Sequence, residues 1–479
     1  MRIHKNAQLE QAVNTYEIKS RICSELDCMK GKNAAEIALL KDAINIRDYE
    51  FLVRNDEDGK CIWTDAFQNA VREHEYILIP AAQQPYYIDQ TIVLPSNRHI
   101  EAQDGAVIKL MEDVPVLMLR NEHTENGTYE KETFANPDRN ISIRGGRWEE
   151  SNTMRKGYGR SGMYDRSRSY FGVSTCMFFN QVENLTLTDM TFVHTAGFSV
   201  QVGNACNVVF ENIVFEECFA DGLHVNGNIT NLLIRNIAGQ VGDDLVALNM
   251  YDWQNSSVDF GPISNVLCEN LYLSPESRYK AFRISPGIYH YRDGSTVDCS
   301  LNKAIIRNVK GIHTFKMYFQ TPRYIIGCSP EKGEAGSCDQ IFFENIEIDL
   351  ERPIDLFEAY CKSDSVTGTI AGFEMGSVLG DIYFENIDVT LHREKYPMSF
   401  FLCIGPKSVR YRNPEGTLME VFDPGVSSLV ENLYLKNIKI NGQQILNPEN
   451  YIREIIFNDL YGDGDAIGTG EIKQIWMCE

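Results

Sequence analysis

The chain has 479 residues, 43% of them apolar and 23% charged, which is ample material for a long core. Its formal net charge of −22 argues against a nucleic-acid polyanion or an anionic membrane as partner. An acidic glycan held by local basic residues stays open. No run of about 18 apolar residues offers a membrane span.

The opening MRIHKNAQLEQAVNTYEIKS has no apolar core and no small-residue cleavage site, so a cytoplasmic location is expected. The 13 cysteines are scattered without CxxC pairs. Cys206, Cys218 and Cys268 fall in apolar strand patterns, and reduced core thiols are expected rather than disulfides.

In chain order, residues 33–45 (NAAEIALLKDAIN) show helical periodicity, and Thr64 reads as the N-cap of a second helix over DAFQNAVREH. That short amphipathic helix precedes the strand-like YILIP and NRHIEAQDGAVIKL, where it would plug the open apolar end of a solenoid. The expected organisation is an N-terminal helical extension over 1–60, a β-helix over 61–445 and a C-terminal cap or tail over 446–479.

Internal repetition supports the solenoid. One frame recurs as NLTLTDMTF from Asn184, NVVFENIVF from Asn207, NLLIRNIAG from Asn231 and NVLCENLYL from Asn265. It returns as KAIIRNVKG from Lys303, QIFFENIEI from Gln340, DIYFENIDV from Asp381 and NLYLKNIKI from Asn432, with NISIRGGRW from Asn140 as a degenerate copy. Period-two apolar alternation makes a half-buried strand, and Asn or Asp at each end turns the chain at a corner. Spacings of 23 and 24 residues suit one coil of about three short strands. The fold class predicted is therefore all-β, a right-handed parallel β-helix with a short N-terminal helical cap. Later spacings of 34 to 51 residues imply loops near 250–262, 286–300, 321–338, 351–379 and 391–430, which would wall a groove.

Aligning coils through inward Leu223 and Val225, Val246 and Leu248, and Phe282 and Ile284 stacks the outward residues in columns. One column holds Asp221, Asp244 and Lys280. A second holds His224, Ala247, Arg283 and Lys316. A third holds Asn226, Asn249 and Ser285, with Gln201 one coil earlier. Asp243 lies beside Asp244 at the turn. Carboxylates this close repel one another and raise at least one pKa. Glycoside hydrolysis requires such a split, with one protonated acid and one carboxylate acting on water or attacking the sugar. The plainer reading is that Asp243 and Asp244 cap the turn after Gly242.

The stretches FADGLHVNG (219–227) and VGDDLVALN (241–249) resemble the NTDG and GDD signatures of glycoside hydrolase family 28, the polygalacturonase family. The segment from Trp63 to Leu110 also resembles that family's start. The resemblance implies an inverting mechanism in which Asp243 is the general acid while Asp221 and Asp244 position and deprotonate water. The family's GHG motif falls on Tyr279-Lys280-Ala281, so its histidine is replaced, and its RIK motif falls on Phe315-Lys316-Met317.

Catalytic candidates are thus Asp221, Asp243 and Asp244. Substrate-binding candidates are Gln201, His224, Asn226, Asn249, Trp253, Lys280, Arg283 and Lys316. His224 would bind a sugar hydroxyl or tune the nearby acids. Arg283 and Lys316 would pair with a uronate or neutralise the aspartates. Trp253, after Tyr251 and Asp252, would offer a sugar platform or pack its own loop. No cofactor or metal is expected. The partner is an oligosaccharide, with a uronate-containing one among the candidates, and large late loops suggest exo action. Two alternatives remain: a Ca²⁺-assisted polysaccharide lyase using Lys280 or Arg283 as base, and a non-catalytic carbohydrate-binding solenoid.

Overall fold

A computed structural model describes residues 2–7, 15–39, 42–112, 114, 116–122, 136–150, 175–252, 258–291, 293–318, 335–351, 370–404, 409–412, 418–421, 428–453 and 470–478. Strands stack coil on coil in parallel register, and the chain is a parallel β-helix. Its axis is filled by inward side chains such as Ile234, Cys268, Ile306, Phe343 and Phe384, all essentially inaccessible to water.

The frame behaves as its residue types require. Asp189, Asn212, Asn236, Asn270, Asn308, Asn345, Asn386 and Asn437 all adopt positive φ, between 50° and 58°. This left-handed region costs an ordinary L-residue about 1–2 kcal/mol, and a short amide side chain offsets the cost by local hydrogen bonding. Here the bonding runs between coils. Each Asn Nδ2 donates to the side-chain oxygen one coil before it, at 2.7 Å from Asn212 to Asp189 and 3.0 Å from Asn345 to Asn308. A second ladder joins Asn140, Asn184, Asn207, Asn231 and Asn265.

The N-terminal reading needs correction. The helix spans Thr15–Ala38, and Ile44–Asn45 is a strand rather than the end of a helix over 33–45. Ile22, Leu26 and Met29 pack against an apolar column on the outer wall, Val209, Leu233, Leu267, Ile305, Phe342, Tyr383 and Tyr434. Ion pairs in its first and second halves, Lys19–Glu344 at 2.5 Å and Lys30–Glu211 at 2.5 Å, lay it along the solenoid axis. Before it, Arg2–Ala7 pairs in parallel with Gly470–Cys478, the strand stacked on Ser428–Ile440. The described segments between Arg2 and Asn45 therefore strap the solenoid from its last coil back to its first, where Ile44 pairs with Ile77.

The Thr64–Glu73 helix does plug the apolar end, burying Ala66, Phe67, Ala70 and Val71. Thr64 is not its cap. Trp63 holds that position without a side-chain bond, and the Thr64 hydroxyl donates to Asp89 Oδ1 at 2.6 Å. Among the described residues Cys218 and Cys268 are buried free thiols, whereas Cys206 is only partly covered. Two of the predicted loops hold wall strands, Ile370–Gly376 and Ser399–Ile404, while Gly287–His290 and Thr296–Cys299 form a hairpin outside the coil.

Leu26→Ala is expected to cost about 2–5 kcal/mol by opening a cavity under the strap, while Leu39→Ala at an exposed position changes stability by less than about 0.5 kcal/mol. Thermal unfolding of both variants measures the contrast, and equal melting temperatures would contradict the packing described.

Candidate active site

The site rests on four-residue strands, Leu223–Asn226, Val246–Asn249 and Ala281–Ile284, continued by Thr314–Tyr318 and Ile370–Gly376. Leu223, Val225, Val246, Leu248, Phe282, Ile284, Phe315 and Met317 point inward and are wholly buried. The register places Gln201, His224, Ala247, Arg283, Lys316 and Glu374 in one outward column. Asn226 and Asn249 form the next.

Gln201 therefore belongs with His224 and not in the Asn226 column. The Asn226 column holds Gly203 at that coil, two residues further along the strand, where a Cβ would lie 2.8 Å from Val258. The Gln201 side chain still reaches across, its Nε2 donating to Asn226 Oδ1 at 2.8 Å.

The turns that carry the acids depend on close coil approach. A Cβ on Gly242 would lie 2.0 Å from the Phe219 carbonyl oxygen, and one on Gly222 would lie 2.7 Å from that of Leu245. Only glycine lets these corners stack, and stacking brings the acids together. One oxygen from each of Asp221, Asp243 and Asp244 lies within 4.8 Å of the others. Asp221 and Asp244 are 3% and 2% exposed, while Asp243 is partly open.

Asp244 and Asp221 are tied to basic side chains. Arg283 Nε donates to Asp244 Oδ2 at 2.7 Å, deep in the wall. His224 Nδ1 lies 2.6 Å from Asp221 Oδ2, and its Nε2 lies 2.9 Å from Asp252 Oδ2. Burial pushes the Asp244 pKa up and the Arg283 charge opposes it, while the Asp221 charge adds to the rise, so the net direction is upward. For His224, burial disfavours the charged ring, but hydrogen bonds to Asp221 and Asp252 and their charges carry its pKa up to about 9. Both ring nitrogens then donate. Both nitrogens of the imidazole are thus turned to carboxylates of the protein. These same three aspartates are the acidic group that could hold a metal, yet an oxygen on each of Asp221 and Asp244 already accepts from a cationic side chain.

Around this centre, Lys280 Nζ lies 3.2 Å from Glu351 Oε1, and His313 Nε2 lies 3.6 Å from the same oxygen. Lys316 is buried with its ammonium 4.7 Å from the centre of the Tyr279 ring. Asn249 Nδ2 donates to Asp252 Oδ2 at 3.3 Å. Trp253 lies outside the described residues.

Sequence reasoning missed Asp252 as a partner of His224, and also Glu351, His313 and Glu374. Phe373-Glu374-Met375 carries the same inward-outward-inward pattern as Phe282-Arg283-Ile284 and was available as a signal. A cavity of about 560 Å³ lies elsewhere, along the asparagine ladder and beside Tyr272, and is not lined by Asp221, Asp243 or Asp244.

No protein-family model matches the sequence, and no curated protein matches it. Among solved structures, the chain is similar to a family 28 exopolygalacturonase of Yersinia enterocolitica, with 13% identity, 91% of this chain and 78% of that one covered, and a TM-score of 0.49. It is similar to the catalytic domain of a family 87 α-1,3-glucanase in complex with nigerose, with 14% identity, coverages of 79% and 64%, and a TM-score of 0.40. It is also similar to PfbA, a surface adhesin of Streptococcus pneumoniae, with 10% identity, coverages of 91% and 93%, and a TM-score of 0.38.

Arg283→Met is expected to destabilise the protein by about 3–5 kcal/mol near neutral pH, because it leaves Asp244 buried without its counter-charge. Asp244 then binds a proton more tightly folded than unfolded, so stability is lost as pH rises above the unfolded carboxylate pKa and recovers as pH falls. Urea unfolding at about pH 7.5 and about pH 5 checks this; a deficit equal at both would contradict it.

Proposed function

We propose that the chain is a glycoside hydrolase acting on an oligosaccharide through Asp243, Asp221 and Asp244. The observation that carries this reading is the convergence of three carboxylate oxygens within 4.8 Å of one another, with only Asp243 partly open to solvent. Asp244 is bound by Arg283, and Asp221 by His224. The partial exposure of Asp243 beside two buried acids suits a division of labour: Asp243 gives a proton to the leaving oxygen, and the other two orient water and take its proton. The turn-capping alternative accounts for Asp243 and Asp244 but gives no reason for Asp221, one coil earlier, to join them.

An inverting, exo-acting enzyme is the first reading of stereochemistry and mode. Retention, through attack of one carboxylate on the sugar, is the alternative outcome. The anomer released first, read by proton NMR, separates the two. Lys280 and Lys316 supply positive charge beside the cluster and make a uronate a reasonable occupant, although Lys280 already meets Glu351. Arg283 serves the aspartates and is not free to clamp a substrate carboxylate by its Nε.

Asp243→Asn keeps the shape of the side chain and removes its proton. It is expected to lower cleavage by about 10²–10⁴-fold with the melting temperature unchanged. The assay is reducing-end release from a panel of galacturonate and neutral glucose oligosaccharides. Turnover at the wild-type rate would refute the acid assignment. An unsaturated, ultraviolet-absorbing product lost on chelation would point to the lyase, and sugar binding without turnover to the binding solenoid.

A further inference from the structure

His224 is an outward residue that faces no solvent. It is 2% exposed, and its ring lies flat on Phe198, with centroids 3.8 Å apart and planes 13° apart. Asp221 closes on one nitrogen from the residue's own turn, and Asp252 closes on the other from beyond the next coil's strand. The amides of Asn226 and Asn249 lie 3.4 Å from Nε2. In its column, neutral Gln201 precedes it, Ala247 follows, and Arg283 comes one coil later, turned to Asp244.

We propose that His224 and Asp252 form a positioning pair for Asp221, in which a ring clamped between two carboxylates fixes the direction Asp221 faces. The inference rests on Asp221 belonging to the hydrolytic centre proposed above. Neither residue touches the sugar. A carboxylate on a turn can rotate about two side-chain bonds, and a bond to a ring held by Phe198 and Asp252 removes that freedom. Misplacement by about 1 Å is enough to cost about 10²-fold in rate. The clamp needs both N–H groups. When the ring loses one, a lone pair faces a carboxylate and that end of the clamp opens, so the ring no longer fixes the direction of Asp221 on the alkaline side.

The test labels histidine Cε1 with ¹³C and follows its NMR titration in the intact chain, beside kcat and KM on the same oligosaccharide panel. Wild type is expected to show one histidine titrating near pH 9, assigned by its loss in His224→Asn. Asp252→Asn should lower that midpoint by about one unit or more and move the alkaline limb of kcat down by the same amount. It should reduce kcat by about tenfold, with KM changed less than about twofold. His224→Asn, whose amide can still donate toward Asp221, should keep more activity than His224→Ala and lose the alkaline limb. Wild-type kcat in Asp252→Asn, or an unchanged alkaline limb in His224→Asn, overturns the positioning role. A wild type that cleaves no glycan in the panel, with His224 titrating as expected, overturns the hydrolase reading instead.

Discussion

The whole molecule depends on corner residues that accept a left-handed backbone and bond to the same residue one coil away. The ladder from Asp189 to Asn437 does both. It turns each coil at a fixed place, and it locks successive coils in register through side-chain amides as well as through the strand backbone. Once the corners are fixed, residues 23 or more apart in sequence stand about one strand spacing apart in space. Asp221 and Asp244 meet for that reason, and Gly222 and Gly242 are the steric condition under which they can.

Much of this was legible because the frame has a strict period and a chemically distinctive corner. Inward Leu223, Val246 and Phe282 fixed the register, and the outward column His224, Ala247, Arg283 and Lys316 followed by counting. Gln201 was placed one column off, since its side chain serves Asn226 while its backbone pairs with His224. Beyond Lys316 the column is hidden in the sequence by the long insertions before the strand that bears Glu374. The strap was missed for a different reason. Within the frames, Val208-Val209-Phe210, Leu232-Leu233-Ile234 and Ile341-Phe342-Phe343 are apolar on both faces. An outer wall of this kind must be covered, and the pattern named the need without naming the Thr15–Ala38 helix that meets it.

The electrostatic design of the centre could not be read from spacing. Columns predict which charges are neighbours but not which oxygen each cation takes. Arg283 turns to Asp244 and His224 to Asp221, so the wall's positive charge is largely committed to the protein's own acids. Burial makes those pairings consequential, because a desolvated charge without its partner is far more costly than a solvated one. The result is a cluster whose three members have unlike surroundings, although they are identical in covalent structure.

The pairing of Arg2–Ala7 with Gly470–Cys478 joins the two most distant described segments of the chain as neighbouring strands. Local coil-on-coil stacking can proceed as residues emerge, but this contact must wait until the last coil has been made. Closure of so large a loop is slow compared with the turns within it. The strap is therefore the final part to settle. Until it does, the outer apolar column from Val209 to Tyr434 and the free edge of the last coil stay open to other chains, which makes assembly of this solenoid a race between self-closure and association.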